Sequence, residues 1–201
     1  MEDASWELYE KLLHDIGDRP IRVTYDQGRM EIMSPSPEHE KPKKLLGRMI
    51  EALTVELDMP VASLGNTTFR RRETAMGLEP DECYYFRNEL KMRGKTRLDL
   101  KKDPPPELVV EIDITSRSVP RQPIYAALGV PEIWRYDGRR MQCLHLKDGG
   151  YHVNKMSISF PFLEPALLRR FIDIAATEGE TAMHRQFVAW VRKNRWARSG
   201  K

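Results

Sequence analysis

Apolar and polar residues recur along the chain in two rhythms, and these divide it into helices and strands. Between Ala4 and Ile16, the residues Trp6, Leu8, Leu12, Leu13 and Ile16 fall near helical spacing and Gly17 offers a stop, which predicts a packing helix. Ile21-Arg-Val-Thr-Tyr-Asp26 and Arg29-Met-Glu-Ile-Met33 alternate with period two around Gln27-Gly28, the pattern of a β-hairpin. After Ser34-Pro-Ser-Pro37, the positions Leu45, Leu46, Met49, Ile50, Leu53 and Leu57 return every three or four residues and mark an amphipathic helix over Glu38 to Leu57. Pro42 has no N–H to give the carbonyl of Glu38. Regular helix is therefore expected to start near Glu40 or to be kinked in its first turns.

Val61-Ala-Ser-Leu64 and Thr67-Thr-Phe-Arg70 are short strand candidates, and Leu78 to Phe86 is expected as one strand entered through Pro80. Arg70-Arg71-Arg72 between them is expected to be a solvated edge, and Asn88 to Pro106 a long polar loop. Glu107-Leu-Val-Val-Glu-Ile-Asp-Ile114 forms the central strand. Ile124 to Leu128 is a short helix stopped by Gly129, and the strands at 131–136, 141–146 and 151–153 form an edge meander. Leu167, Leu168, Phe171, Ile172 and Ile174 predict a docking helix. Thr181 to Lys201 has no acid but carries Arg185, Arg192, Lys193, Arg195, Arg198 and Lys201 beside Trp190 and Trp196. That last helix is read as packing through its tryptophans, with contact to a phosphate backbone as the alternative. The sum is an α/β domain with a mixed β-sheet flanked by helices over residues 1–163, and a C-terminal helical extension over 164–201 packed on it.

Composition narrows the class. A chain of 201 residues with 40% hydrophobic and 31% charged content suits one core, and a net charge of +3 permits nucleic-acid contact without demanding it. Cys83 and Cys143 give neither metal-ligand spacing nor a disulfide framework, and the histidines at 14, 39, 145, 152 and 184 show no zinc spacing. With acids at its start and no long apolar run, the chain is expected in the cytoplasm and off the membrane.

The central strand carries the chemistry. Val109, Glu111 and Asp113 share one face, and Leu108, Val110, Ile112 and Ile114 the other. Carboxylates two residues apart on a strand lie roughly 6.6 Å from each other and repel by about 2.5 kcal/mol at an effective dielectric near 20. A divalent metal, an arginine or protonation of one acid would each offset that. Glu111 could equally pair with Arg117 or Arg121.

Glu79-Pro80-Asp81, then Glu111 in its hydrophobic strand, then Tyr125-Ala-Ala-Leu-Gly-Val-Pro-Glu-Ile-Trp-Arg-Tyr-Asp137 together resemble the Uma-type restriction endonuclease family of the PD-(D/E)xK nuclease superfamily. The resemblance runs from about Tyr25 to about Phe162, and Ala-Leu-Gly-Val-Pro-Glu-Ile-Trp is its most specific part. It implies a restriction-endonuclease-like fold and a metal-dependent endonuclease acting on DNA, with Mg²⁺ or Mn²⁺ as cofactor. Asp81, Glu111 and the backbone carbonyl of Ile112 would be the metal ligands, with Glu38 as an outer or second-metal ligand beside His39. Asp113 stands where the superfamily has its lysine and could bind directly or through water. Arg121 matches the family's basic position and could stabilise developing charge, but arginine is a poor general base. Asp113 and Arg121 keep open a catalytically silent nucleic-acid-binding module, and a metal-free interaction protein is a third alternative. The symmetry of duplex DNA favours a homodimer for double-strand cutting.

Overall fold

The computed structural model describes residues 1–17, 19–65, 67–96, 98–114 and 118–195. Trp196, Arg198, Lys201 and Arg117 lie outside the described residues.

Strands β1 (Arg22–Asp26) and β2 (Arg29–Met33) form the expected hairpin. With β4 (Phe69–Arg71) and β5 (Met76–Leu78) they make a four-stranded antiparallel sheet ordered β2-β1-β5-β4. The expected mixed sheet is six-stranded. It contains β3 (Ala62–Ser63), β6 (Glu82–Tyr85), β7 (Leu108–Ile112), β8 (Glu132–Tyr136), β9 (Met141–Lys147) and β10 (Gly150–Asn154), ordered β10-β9-β8-β7-β6-β3, with β7 and β8 parallel.

The sequence predicts one strand from Leu78 to Phe86, but the structure divides it. At Glu79-Pro80-Asp81 the chain leaves the small sheet and enters the large one, because Pro80 has no N–H to keep a ladder going. The polar connection after β6 likewise contains a short helix, α3 (Glu89–Met92), held by the buried Met92 and by Glu89 accepting two bonds from Arg93.

β7 separates two hydrophobic clusters. Leu108, Val110 and Ile112 join Trp134 and Tyr136 beneath α2 (Pro37–Glu56), α5 (Leu168–Thr177) and α6 (Glu180–Asn194). On the other face, Val109 meets Cys83, Ile133 and Leu144, covered by α4 (Gln122–Leu128) and by Phe69 and Leu78 of the small sheet. Helix α1 (Trp6–Ile16) packs Trp6 and Tyr9 on Val23 and Tyr25 of β1. Gly77 of β5 faces Tyr9 so closely that a Cβ there would overlap the tyrosine ring. Trp190 of α6 stacks on Phe162 and Phe187 and meets Phe171 edge-on. Arg72 ties the arginine edge to Glu7 and Glu10 of α1.

Helix α2 begins at Pro37, earlier than the regular start expected near Glu40. Ser36 caps it, its Oγ accepting from the His39 N–H at 3.4 Å, and Pro37 supplies the preset φ of the first turn. Pro42 sits buried inside the helix. Among the described residues no helix is long and apolar enough to cross a membrane.

Candidate active site

The crossing between the sheets and the end of β7 meet at one point. Asp81 is 0% exposed, the most enclosed acid of this region. Its Oδ2 accepts the backbone N–H of Ile112 at 2.6 Å and lies 3.1 Å from His39 Nε2, while Oδ1 contacts the guanidinium of Arg22. β1 places Arg22 and Thr24 on one side by its alternation and Val23 and Tyr25 on the other, where α1 covers them. α2 brings in its first turn, with His39 buried against Asp81 and Glu40 3.4 Å from Arg22.

Glu111 is buried beside this group. Its two oxygens accept from Arg121 Nη1 at 2.8 and 2.7 Å, and Oε1 also accepts the hydroxyl of Tyr125. Arg121 reaches across to Thr24 Oγ1 at 3.1 Å, so β7, α4 and β1 are tied together through one guanidinium. Burial works against the charge on Arg121, but Glu111, Tyr125 and Glu31 together outweigh it and raise the pKa. For Arg22 burial wins and lowers the pKa, although Glu40 and Glu111 act in the opposite sense. Glu79 accepts from Thr68 at 2.9 Å, and burial pushes its carboxyl upward despite the fields of Arg22 and Arg121.

Asp113 lies one residue beyond β7, where Arg135 of β8 pairs with it through Nε at 2.8 Å. The repulsion expected between Glu111 and Asp113 is thus offset by separate arginines, Arg121 and Arg135. Both acids line a cleft of about 740 Å³ together with Arg121, Tyr125, Arg135 and Val119. Glu31 of β2 closes one side by accepting from Ser118 Oγ at 2.8 Å and the Val119 N–H at 3.3 Å.

A protein-family model described as "Uma2: Putative restriction endonuclease" matches residues 6–172. The chain belongs to the Uma2 family. The crystal structure titled as that of a putative nuclease belonging to DUF820, from Anabaena variabilis ATCC 29413, superposes with a TM-score of 0.53 at 10% sequence identity. The match covers 90% of this chain and 99% of that one, and at this identity it speaks for the fold. No curated protein matches the chain.

In this Uma2 protein the sequence-predicted residues fall in three places. Asp81, Glu111, Ile112 and Arg121 come together. Asp113 stands at the cleft wall with Arg135. Glu38 does not join them: it is exposed on the outer side of the first turn of α2, and Glu40, two residues on, turns inward. Arg22, Glu79, Glu40 and Tyr125 complete the cluster and were not picked out as site residues from sequence. Arg22 carried one signal, a charged residue inside a strand whose neighbours are all apolar or β-favouring. Nothing local marked the direction of Glu40.

The acids of this region carry oxygen donors, the type a hard divalent cation takes. Glu40, Glu79, Asp81 and Glu111 offer only oxygens, and they outnumber the two buried arginines among them.

Proposed function

We propose that this chain hydrolyses phosphodiester bonds of DNA with Mg²⁺ or Mn²⁺ held at the acid cluster. The observation that supports it best is the hydrogen bond from Ile112 to Asp81, which brings together two acids 30 positions apart beside an open cleft. Asp81, Glu111 and the carbonyl of Ile112 would hold the ion, with Glu79 and Glu40 near enough to respond electrostatically. Bound there, a divalent ion supplies a water that ionises near neutral pH and positive charge for the phosphoryl oxygens.

The chain's own residues do the rest. Arg121 fixes the Glu111 carboxylate through both oxygens and adds a permanent positive charge that can stabilise charge developing on phosphate. His39 buttresses Asp81 from the mouth of α2. Arg135, half-buried at the cleft wall, is placed to meet a phosphate oxygen. Asp113 holds that arginine in position. The acids come from one chain, so a second copy is not needed to assemble the site.

One observation favours the catalytically silent DNA-binding module: Arg22 and Arg121 already engage Asp81 and Glu111. Incubating the protein with supercoiled, linear and single-stranded DNA in Mg²⁺, Mn²⁺ or chelator discriminates. Metal-dependent cleavage that is lost in Asp81→Asn and Glu111→Gln supports the nuclease. Binding without cleavage in every metal overturns it in favour of the module.

A further inference from the structure

On the face of the six-stranded sheet turned away from Glu111, three metal-ligating side chains meet. Cys143 and His145 are two apart on β9 and project to one side, and Glu132 lies opposite His145 in the antiparallel register of β8 and β9. Glu132 and Cys143 are buried and His145 is half-buried. Their donor atoms all lie within 4.8 Å of one another. Cys143 Sγ is 3.3 Å from Glu132 Oε1, 3.4 Å from His145 Nε2 and 3.5 Å from the carbonyl oxygen of Met156. A tetrahedral zinc ion with bonds of about 2.0 to 2.3 Å sets its ligands about 3.3 to 3.8 Å apart. The edges running from the sulfur therefore already have that length.

We propose that Glu132, Cys143 and His145, with the Met156 carbonyl as fourth donor, form a binding site for Zn²⁺ or a similar borderline transition-metal ion, separate from the acid cluster. The donor chemistry sets the class, because mixed sulfur, nitrogen and oxygen ligands select zinc-like ions whereas the all-oxygen cluster around Asp81 suits Mg²⁺. Charge agrees as well. A thiolate and a carboxylate neutralise a divalent ion, so the filled site adds no net charge to a buried region.

The carboxylate is also oriented for the task. Glu132 Oε1 accepts the Trp134 indole N–H at 2.8 Å, and Oε2 accepts the Ser159 N–H at 2.9 Å and hydroxyl at 2.8 Å. These donors fix the group from behind, as the hydrogen-bonding partners of metal-ligating carboxylates do. The remaining lone pair of Oε1 faces Cys143, whose donor is a removable proton. On binding, a sulfur–metal bond replaces the S–H bond and the proton leaves to solvent, with no change of oxidation state.

Cobalt(II) titration of the full chain tests this, since thiolate ligation gives a near-ultraviolet sulfur-to-cobalt charge-transfer band. The band should saturate at a single equivalent, collapse on adding Zn²⁺ and survive excess Mg²⁺. It should persist in Cys83→Ala, vanish in Cys143→Ser and need about tenfold or more cobalt in His145→Ala. A wild-type protein without the band, a band that excess Mg²⁺ removes, or one that survives in Cys143→Ser would overturn the proposal. Should Cys143→Ser not fold, unchanged cobalt affinity in His145→Ala would overturn it alone.

Discussion

The backbone N–H of Ile112 donates to Oδ2 of Asp81 at 2.6 Å. This bond fastens the last residue of β7 to the point where the chain crosses from one sheet to the other. Because Glu111 immediately precedes Ile112, the same bond fixes the spacing between the two acids of the proposed nuclease centre.

Asp81→Ala should destabilise the fold as well as the site. It would leave the buried Arg22 with only its 3.4 Å contact to Glu40 and Ile112 without its acceptor, a loss of about 3–5 kcal/mol for a broken buried pair. The urea midpoint should fall accordingly, and by less in Asp81→Asn, which keeps an acceptor for the Ile112 N–H. An unaltered midpoint in the alanine variant would show that the Arg22–Asp81 contact contributes nothing.

Arg121 holds Glu111 through one nitrogen and Thr24 through another. Arg121→Ala strands the buried Glu111 and should also cost about 3–5 kcal/mol. Arg121→Lys keeps the charge but not the fork, so a smaller loss of about 1–2 kcal/mol is expected. Equal losses in chemical denaturation would mean that geometry, and not charge, is what Glu111 requires.

Glu79 gives a pH signature. Its folded pKa is raised by burial above the unfolded value, so the folded state binds the extra proton and stability falls as pH rises through the folded pKa. Glu79→Gln should therefore be more stable than the wild type at neutral pH, by an amount on the order of 1 kcal/mol, with the gain shrinking as pH falls towards the carboxylate range. Thermal melts between pH 4 and 8 (roughly the window of that titration) check the sign. Mg²⁺ should narrow the difference at neutral pH if the ion offsets the Glu79 charge.

Residues 164–201 supply Leu168, Phe171, Met183, Phe187 and Val191 to the same cluster that buries Leu108, Val110 and Trp134. Ending the chain after Leu163 should leave a protein without cooperative unfolding, because the face of the sheet under α5 and α6 would be stripped. Phe187→Ala alone should cost about 3–5 kcal/mol. A sharp thermal transition in the truncated chain would show that the last two helices are dispensable to folding.

Pattern along the chain marked the hairpin, helix α2, the central strand, the edge meander and the terminal helices, because each of these buries one face and periodicity records which side is apolar. Asp81, Glu111 and Arg121 were legible through a family resemblance, and the alternation of β7 placed Glu111 opposite Leu108, Val110 and Ile112. The break at Pro80 was missed, because the apolar and β-favouring residues on both sides of it read as one continuous strand from Leu78 to Phe86. Which sheet each half would join was not legible either.

What only the tertiary structure decided is who meets whom across distance. Arg22 on β1 reaches Asp81, Glu40 rather than Glu38 turns inward, and Glu132 comes beside Cys143 and His145 from the neighbouring strand. Local spacing reports the face a side chain takes on its own element. Strand register and sheet packing determine which charge arrives opposite it, and in this protein those long-range pairings make both candidate metal sites.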